Sequence, residues 1–192
     1  MSVLVNKQAP DFNEKAVIKG EYVDGFTLSQ FKGKYVILFF YPFDFTFVCP
    51  TEMHAFQAKL ADFKSKNCEI IAVSTDSHHS HAAWLRTPKK EGGIEGIEYP
   101  IISDFNKKIA TDYDVLLEGG QTLRGLFLID QKGVVQHQVV NNDGLGRNID
   151  EAMRMLDALQ FTEKNGVVCP ANWNEGDKTL TADRDGLDSY FG

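Results

Sequence analysis

Apolar side chains along this chain follow two periods. Residues 36–41 form an unbroken run of β-branched and aromatic side chains, the pattern of a strand covered on both faces, and Pro42 ends it. Residues 69–74 and 123–129 repeat the pattern. The turn residues Asp130-Gln-Lys-Gly133 follow the latter and join it to residues 134–140, which reads as a hairpin. Elsewhere the period is helical. Met53, Phe56, Leu60 and Phe63 make one apolar stripe and predict a helix over 50–66, with Pro50 at a first-turn position where its missing N–H costs nothing. Shorter helices are predicted over 77–86 and 106–113, with a short strand at 101–103 between them. A longer helix starts after Asn148, its inward face Ile149, Met153 and Leu156. Residues 1–34, with scattered Gly and polar positions, suggest short strands and turns.

The order is therefore strand, helix, strand, helix, short strand, helix, hairpin, helix. A βαβ unit followed by a ββα unit predicts an α/β chain: a mixed central sheet flanked by helices, as in the thioredoxin-like fold. There is no repeat, low-complexity tract or Pro/Ser-rich linker. We expect one domain over 1–165 and a polar C-terminal tail over 166–192.

Composition mainly excludes. The 192 residues carry 20 Lys and Arg against 27 Asp and Glu, a formal charge of −7. That leaves no cationic excess for binding a phosphate backbone, so nucleic acid is not expected as a partner. The longest apolar run, 35–41, falls far short of the roughly 20 residues that span a bilayer, and no membrane partner is expected. The N-terminus lacks the pattern of a secretory signal. Three cysteines do not make a disulfide scaffold, and a cytoplasmic location is expected.

One of those cysteines asks for an explanation. Cys49 sits where a buried strand has ended and a helix begins. Unpaired N–H groups and the positive end of the macrodipole favour a thiolate there, the reactive form of the group. The alternative is a small buried hydrophobe, the common fate of a free cysteine. Thioredoxins place Cys-x-x-Cys at this junction, but here the four residues are Cys49-Pro50-Thr51-Glu52. Once oxidised, Cys49 has no partner in its own turn.

The stretch Pro42-Phe-Asp-Phe-Thr46-Phe-Val-Cys49 resembles the peroxiredoxin active-site pattern of Pro, three residues, Thr, two residues, Cys. Ala9-Pro10-Asp11-Phe12, Glu52, Trp84, Arg124 in Leu123-Arg124-Gly125, Arg147 after Gly146, and Val168-Cys169-Pro170 extend the likeness to the typical two-cysteine branch over nearly the whole chain. The resemblance implies a thiol-dependent peroxidase with no cofactor and no metal. Cys49 would be oxidised by a hydroperoxide to a sulfenic acid, and Cys169 of a partner subunit would resolve it as an intersubunit disulfide. Thioredoxin or a similar dithiol carrier would then reduce that bond. It further implies that Thr46 holds a peroxide oxygen, Arg124 stabilises negative charge, and Pro42 shields the pocket, with Glu52 and Arg147 orienting Arg124. Family members form homodimers and commonly decamers. For Arg124 the residues themselves add a reason. It stands in an apolar run, where an unpaired guanidinium would be costly, so a partner is required. For the two sulfurs to meet at about 2 Å, the end of the helix over 50–66 must locally unwind.

Other signals are weaker. Cys68 precedes a buried strand and reads as structural. His78, His79 and His81 do not share the i, i+4 spacing that metal ligands on one helix face prefer. Gly144-Leu-Gly146 lacks the third glycine of a dinucleotide loop, Ile149 standing in its place. Gly92-Gly-Ile-Glu95 and Tyr190-Phe191 resemble the two segments of oxidation-sensitive family members, except that Glu95 replaces a glycine, and a position demanding φ > 0 would strain it. Two further function classes are a general dithiol–disulfide exchanger, disfavoured by the missing second cysteine, and a holdase chaperone built on a high-order assembly.

Overall fold

The computed structural model describes residues 3–192, so the reading of the N-terminal strands and turns at residues 1 and 2 lies outside it. By contact density the chain forms two compact units, one ending at Ile149 and one running Asp150–Gly192. The first is built on seven strands: β1 (Asn13–Ile18), β2 (Glu21–Thr27), β3 (Tyr35–Phe40), β4 (Cys68–Ser74), β5 (Ile101–Ser103), β6 (Arg124–Ile129) and β7 (Val135–Asn141). Their order across the sheet is β2-β1-β5-β4-β3-β6-β7. β3 runs parallel to β4 and antiparallel to β6, and β4 runs parallel to β5, so the sheet is mixed, as the element order predicts.

The all-apolar runs are the central strands. Every residue of β3 and β6 is buried. Alternation sends Val36, Leu38 and Phe40 into a cluster with Ile71, Val73, Phe127 and the helix α4 (Lys108–Asp112), through Ile109, Ala110 and nearby Tyr113. Phe39 points the other way and stacks on Phe56 of α1 (Cys49–Ala58), ring centroids 4.3 Å apart. Trp84 of α3 (His78–Arg86) meets Tyr41 on that same face. Helices thus cover both faces.

Two features depart from the sequence pattern, the break in the first helix and the backbone at Glu95, while the short N-terminal strands and turn are found as expected. The helix expected over 50–66 is two, α1 and α2 (Leu60–Ser65). At Lys59 the amide bonds back to the Gln57 and Phe56 carbonyls and the ladder restarts, with no Gly or Pro to announce it. The predicted stripe survives the break: Met53, Phe56, Leu60 and Phe63 are all buried. At the N-terminus β1 and β2 form a hairpin whose two linking residues, Lys19 and Gly20, both have positive φ, as a tight two-residue turn requires. Glu95 is not strained. The left-handed position falls one residue later, at Gly96 with φ 90°, so a glutamate is tolerated where the related segment has glycine.

Cys68 begins β4 and is 1 % exposed. Burial pushes its thiol up to about 12, where a thiolate is scarce at neutral pH. Iodoacetamide at pH 8 should therefore label Cys68 only after denaturation; peptide mapping that finds it alkylated in the folded protein would refute the structural reading.

The second unit contains α5, which begins one residue earlier in the chain (Ile149–Asn165), and α6 (Arg184–Phe191). The sequence pattern left α6 inside a polar tail. Asp183 caps it, its side chain accepting from the Gly186 amide at 2.7 Å. No helix among the described residues is long and apolar enough to cross a membrane.

Candidate active site

Cys49 opens α1 just beyond the C-terminal end of β3, and its side chain is fully buried. Pro50 occupies the first turn, and no side chain caps the helix start: Val48 makes no side-chain cap bond. Because β6 runs antiparallel to β3, its first residue lies at this same end of the sheet. That residue is Arg124. Its Nη1 donates to Cys49 Sγ at 3.3 Å and to Glu52 Oε2 at 2.8 Å. The partner that its apolar setting demanded is thus the sulfur and a carboxylate one turn along α1.

Glu52 is held more tightly from the other side. Arg147 donates to it three times, from its backbone N and Nε to Oε1 at 2.8 and 2.7 Å, and from Nη2 to Oε2 at 2.7 Å. The remaining Nη1 of Arg147 donates to the carbonyls of Phe40 and Gly125, on β3 and β6. Its guanidinium also lies over the Phe39 ring, 5.0 Å from the centroid. All four side chains are buried, and the two cations share one carboxylate with nearly every donor used, leaving one positive charge in excess beside Cys49.

Electrostatics follow the geometry. Burial alone would raise the Glu52 carboxyl, but the charge and hydrogen bonds of Arg147, with the charge of Arg124, outweigh it and hold it below its ordinary value of 4.5. Burial works against the Arg124 cation, yet its bond to Cys49 and the charges of Cys49 and Glu52 raise it further. Since the folded carboxyl sits low, its contribution to stability is complete above about 4.5 and is lost as the pH falls through the depressed value. Between pH 6 and pH 3 the urea midpoint of the native chain should fall more steeply than that of Glu52→Gln. Equal slopes would show that the network does not carry this linkage.

The other sequence-predicted residues are placed as follows. Pro42 is buried directly after β3. Thr46 is half-buried, its hydroxyl donating to the Phe43 carbonyl at 2.9 Å. Cys169 belongs to the second unit, beside α5. The three histidines split two and one: His81 is buried against Asp44 and the Ile102 carbonyl, whereas the His78 and His79 rings lie together, centroids 4.0 Å apart, and face Tyr22.

Two supports were invisible in the sequence. Asp143, in the turn after β7, accepts Arg124 Nε on its backbone carbonyl at 2.6 Å and faces Nη2 with its carboxylate at 3.4 Å. The loop 42–48 is pinned from below by a buried polar group. Tyr41 and His81 both bond the Asp44 carboxylate, and the Asp44 amide donates to Asp76. Asn142-Asp143-Gly144 carries a turn signal, but nothing in it names Arg124. At Phe45 the same loop adopts φ 55°, a costly conformation for a bulky residue, of the kind that surrounding structure must enforce.

A sulfur that accepts a guanidinium N–H at a helix start, with a carboxylate behind the cation, is an arrangement for nucleophilic chemistry that develops negative charge. The sequence profile of the AhpC/TSA family matches residues 5–138, and that of the C-terminal domain of 1-Cys peroxiredoxin matches residues 158–192. The chain belongs to the peroxiredoxin family. It is 50 % identical to a thioredoxin peroxidase of Echinococcus granulosus over 192 residues, covering 100 % of this chain and 99 % of the relative. It is 49 % identical to the human mitochondrial thioredoxin-dependent peroxide reductase over 188 residues, 97 % of this chain and 73 % of that protein. Among solved structures, a reduced 2-Cys peroxiredoxin of Plasmodium vivax superposes with a TM-score of 0.95 at 43 % identity, covering 98 % of each chain. The thioredoxin-like, helix-flanked sheet of this peroxiredoxin is the one its element order predicted.

Proposed function

We propose that this peroxiredoxin reduces hydrogen peroxide and organic hydroperoxides by a thioredoxin-linked two-cysteine cycle. The observation that carries the reading is the Arg124 Nη1 contact to Cys49 Sγ at 3.3 Å, inside the buried Glu52–Arg147 frame. In the first step the Cys49 thiolate attacks the near oxygen of ROOH. An S–O bond forms, the O–O bond breaks with its electron pair going to the leaving oxygen, and RO⁻ takes a proton to leave as ROH, with Cys49 as sulfenic acid. Arg124 stabilises the charge that develops on the two oxygens, Thr46 holds the peroxide through its hydroxyl, and Pro42 keeps water from the sulfur. Glu52 and Arg147 hold Arg124 in place and touch no reacting atom.

Cys169 of a partner subunit then condenses with the sulfenic acid, and a dithiol carrier such as thioredoxin reduces the disulfide, itself becoming oxidised. Since Cys49 is fully buried, the first turn of α1 unwinds to expose it. Self-association is supported by the outer edge of β7, which pairs with no further strand among the described residues, and by exposed Phe45, Phe47, Phe105 and Leu145. We assign a homodimer assembled into decamers. Three cysteines, too few for a disulfide scaffold, fit a reducing compartment such as the cytoplasm.

A brief dose of peroxide below one equivalent, quenched with a sulfenic-acid trap and read by peptide mass, should mark Cys49. Oxygen on Cys68 or Cys169 with Cys49 unmodified would overturn the reading.

A further inference from the structure

The sulfur of Cys169 is not free. It donates to the Ala158 carbonyl at 3.7 Å, and Thr162 Oγ1 lies 3.5 Å from it. Ala158 and Thr162 are one turn apart on the same face of α5. A carbonyl can only accept, so the thiol hydrogen goes to Ala158 and the Thr162 hydroxyl hydrogen turns to a sulfur lone pair. That arrangement satisfies all three groups. The segment bearing the cysteine is fastened on both sides of it. Val168 and Leu180 exchange two backbone bonds, at 2.9 and 3.4 Å. Trp173, 1 % exposed, gives its carbonyl to Arg154 Nη1 at 2.7 Å and sets its ring against Phe161, centroids 5.1 Å apart. Between these anchors the thiol lies flat on the helix and half-buried.

We propose that Ala158 and Thr162 form a dock that stows the Cys169 thiol, and that Thr162 is a positioning residue setting how quickly the thiol is released to the oxidised Cys49. The proposal rests on the resolving role given to Cys169 above. In the resolving step Cys49–SOH and Cys169–SH give the disulfide and water. The S–S bond forms, the S–O bond breaks, and the thiol proton leaves with the hydroxyl group. An attacking sulfur cannot keep its hydrogen on Ala158 or its lone pair on Thr162, so it undocks first. While it is docked, the sulfenic acid stays open to a second peroxide and to sulfinic acid. The dock therefore sets the partition between turnover and over-oxidation, from a point on a different element from the peroxide site.

Thr162→Val keeps the shape and loses the hydroxyl; Thr162→Ser keeps the hydroxyl. In the full-length reduced protein, Thr162→Val should raise iodoacetamide labelling of Cys169 roughly two- to tenfold, the worth of one modest hydrogen bond. After one equivalent of hydrogen peroxide it should speed disulfide formation by a similar factor and cut the sulfinic product per turnover. Oxidation of Cys49 itself should keep its native rate, and Thr162→Ser should behave as the native chain. A threonine that served packing alone would leave labelling and disulfide rates unchanged, or slow them with both variants. Rates for Thr162→Val at or below native overturn the dock. Absence of a Cys49–Cys169 disulfide from the native peptide map overturns instead the resolving role, while the labelling rates still decide whether the dock exists.

Discussion

Replacing Cys49 by serine should reduce peroxide-dependent oxidation of thioredoxin to the uncatalysed background while leaving the fold intact. Sulfur and oxygen are close in size, and the buried position at the start of α1 makes no demand that a hydroxyl cannot meet. The chemistry differs entirely: a serine hydroxyl keeps its proton at neutral pH and is a poor nucleophile toward an O–O bond. The Arg124–Glu52–Arg147 frame has bonds of its own and survives the exchange. Coupled consumption of thioredoxin reducing equivalents measures the result. Cys169→Ser separates the two cysteines, since it should permit one fast oxidation and then stall. A Cys49→Ser protein that keeps more than a few per cent of native turnover would end the peroxidase reading. Chaperone activity that persisted in it would belong to the assembly rather than to the sulfur.

Arg124→Leu should slow oxidation of Cys49 by hydrogen peroxide about 10²- to 10³-fold, the usual cost of removing one preorganised donor to a developing oxyanion. Folding should suffer far less. Without Arg124, Glu52 retains all three of its bonds to Arg147, so no carboxylate is left buried and unpaired. Arg124→Lys should recover only part of the rate, because an ammonium cannot hold Sγ, Glu52 and Asp143 together as the planar guanidinium does. Stopped-flow competition against a second peroxidase gives the rate constant. A loss smaller than threefold would mean that Arg124 is structural.

What could be read from the sequence divides along physical lines. The central strands were legible because both of their faces are dry: residues 36–41 and 124–129 contain almost nothing polar, and Arg124 stood out for that reason. Local motifs were legible where one residue type does one job, as with Pro50 at the helix start. Contacts that depend on chain reversal were not. Asp143 meets Arg124 only because β6 and β7 fold back on each other, and the Asp44–His81 pair joins a loop to a helix 37 residues away. The three histidines are close in sequence, but the helix turns only His81 inward and leaves His78 and His79 together against Tyr22. The break at Lys59 left no mark either, since the apolar stripe continues through it. α6 escaped because its apolar positions, Leu187, Tyr190 and Phe191, span little more than one turn, too short a run to establish a period, and its cap at Asp183 marks its start.

Arg147 spends one nitrogen on the carbonyls of Phe40 and Gly125, from two neighbouring strands, and the rest on the carboxylate that aligns Arg124. The reactive centre is thereby bolted to the framework itself. On the role proposed for Arg124, prying those strands apart would take its alignment away, and a partly melted form would stand idle rather than carelessly reactive.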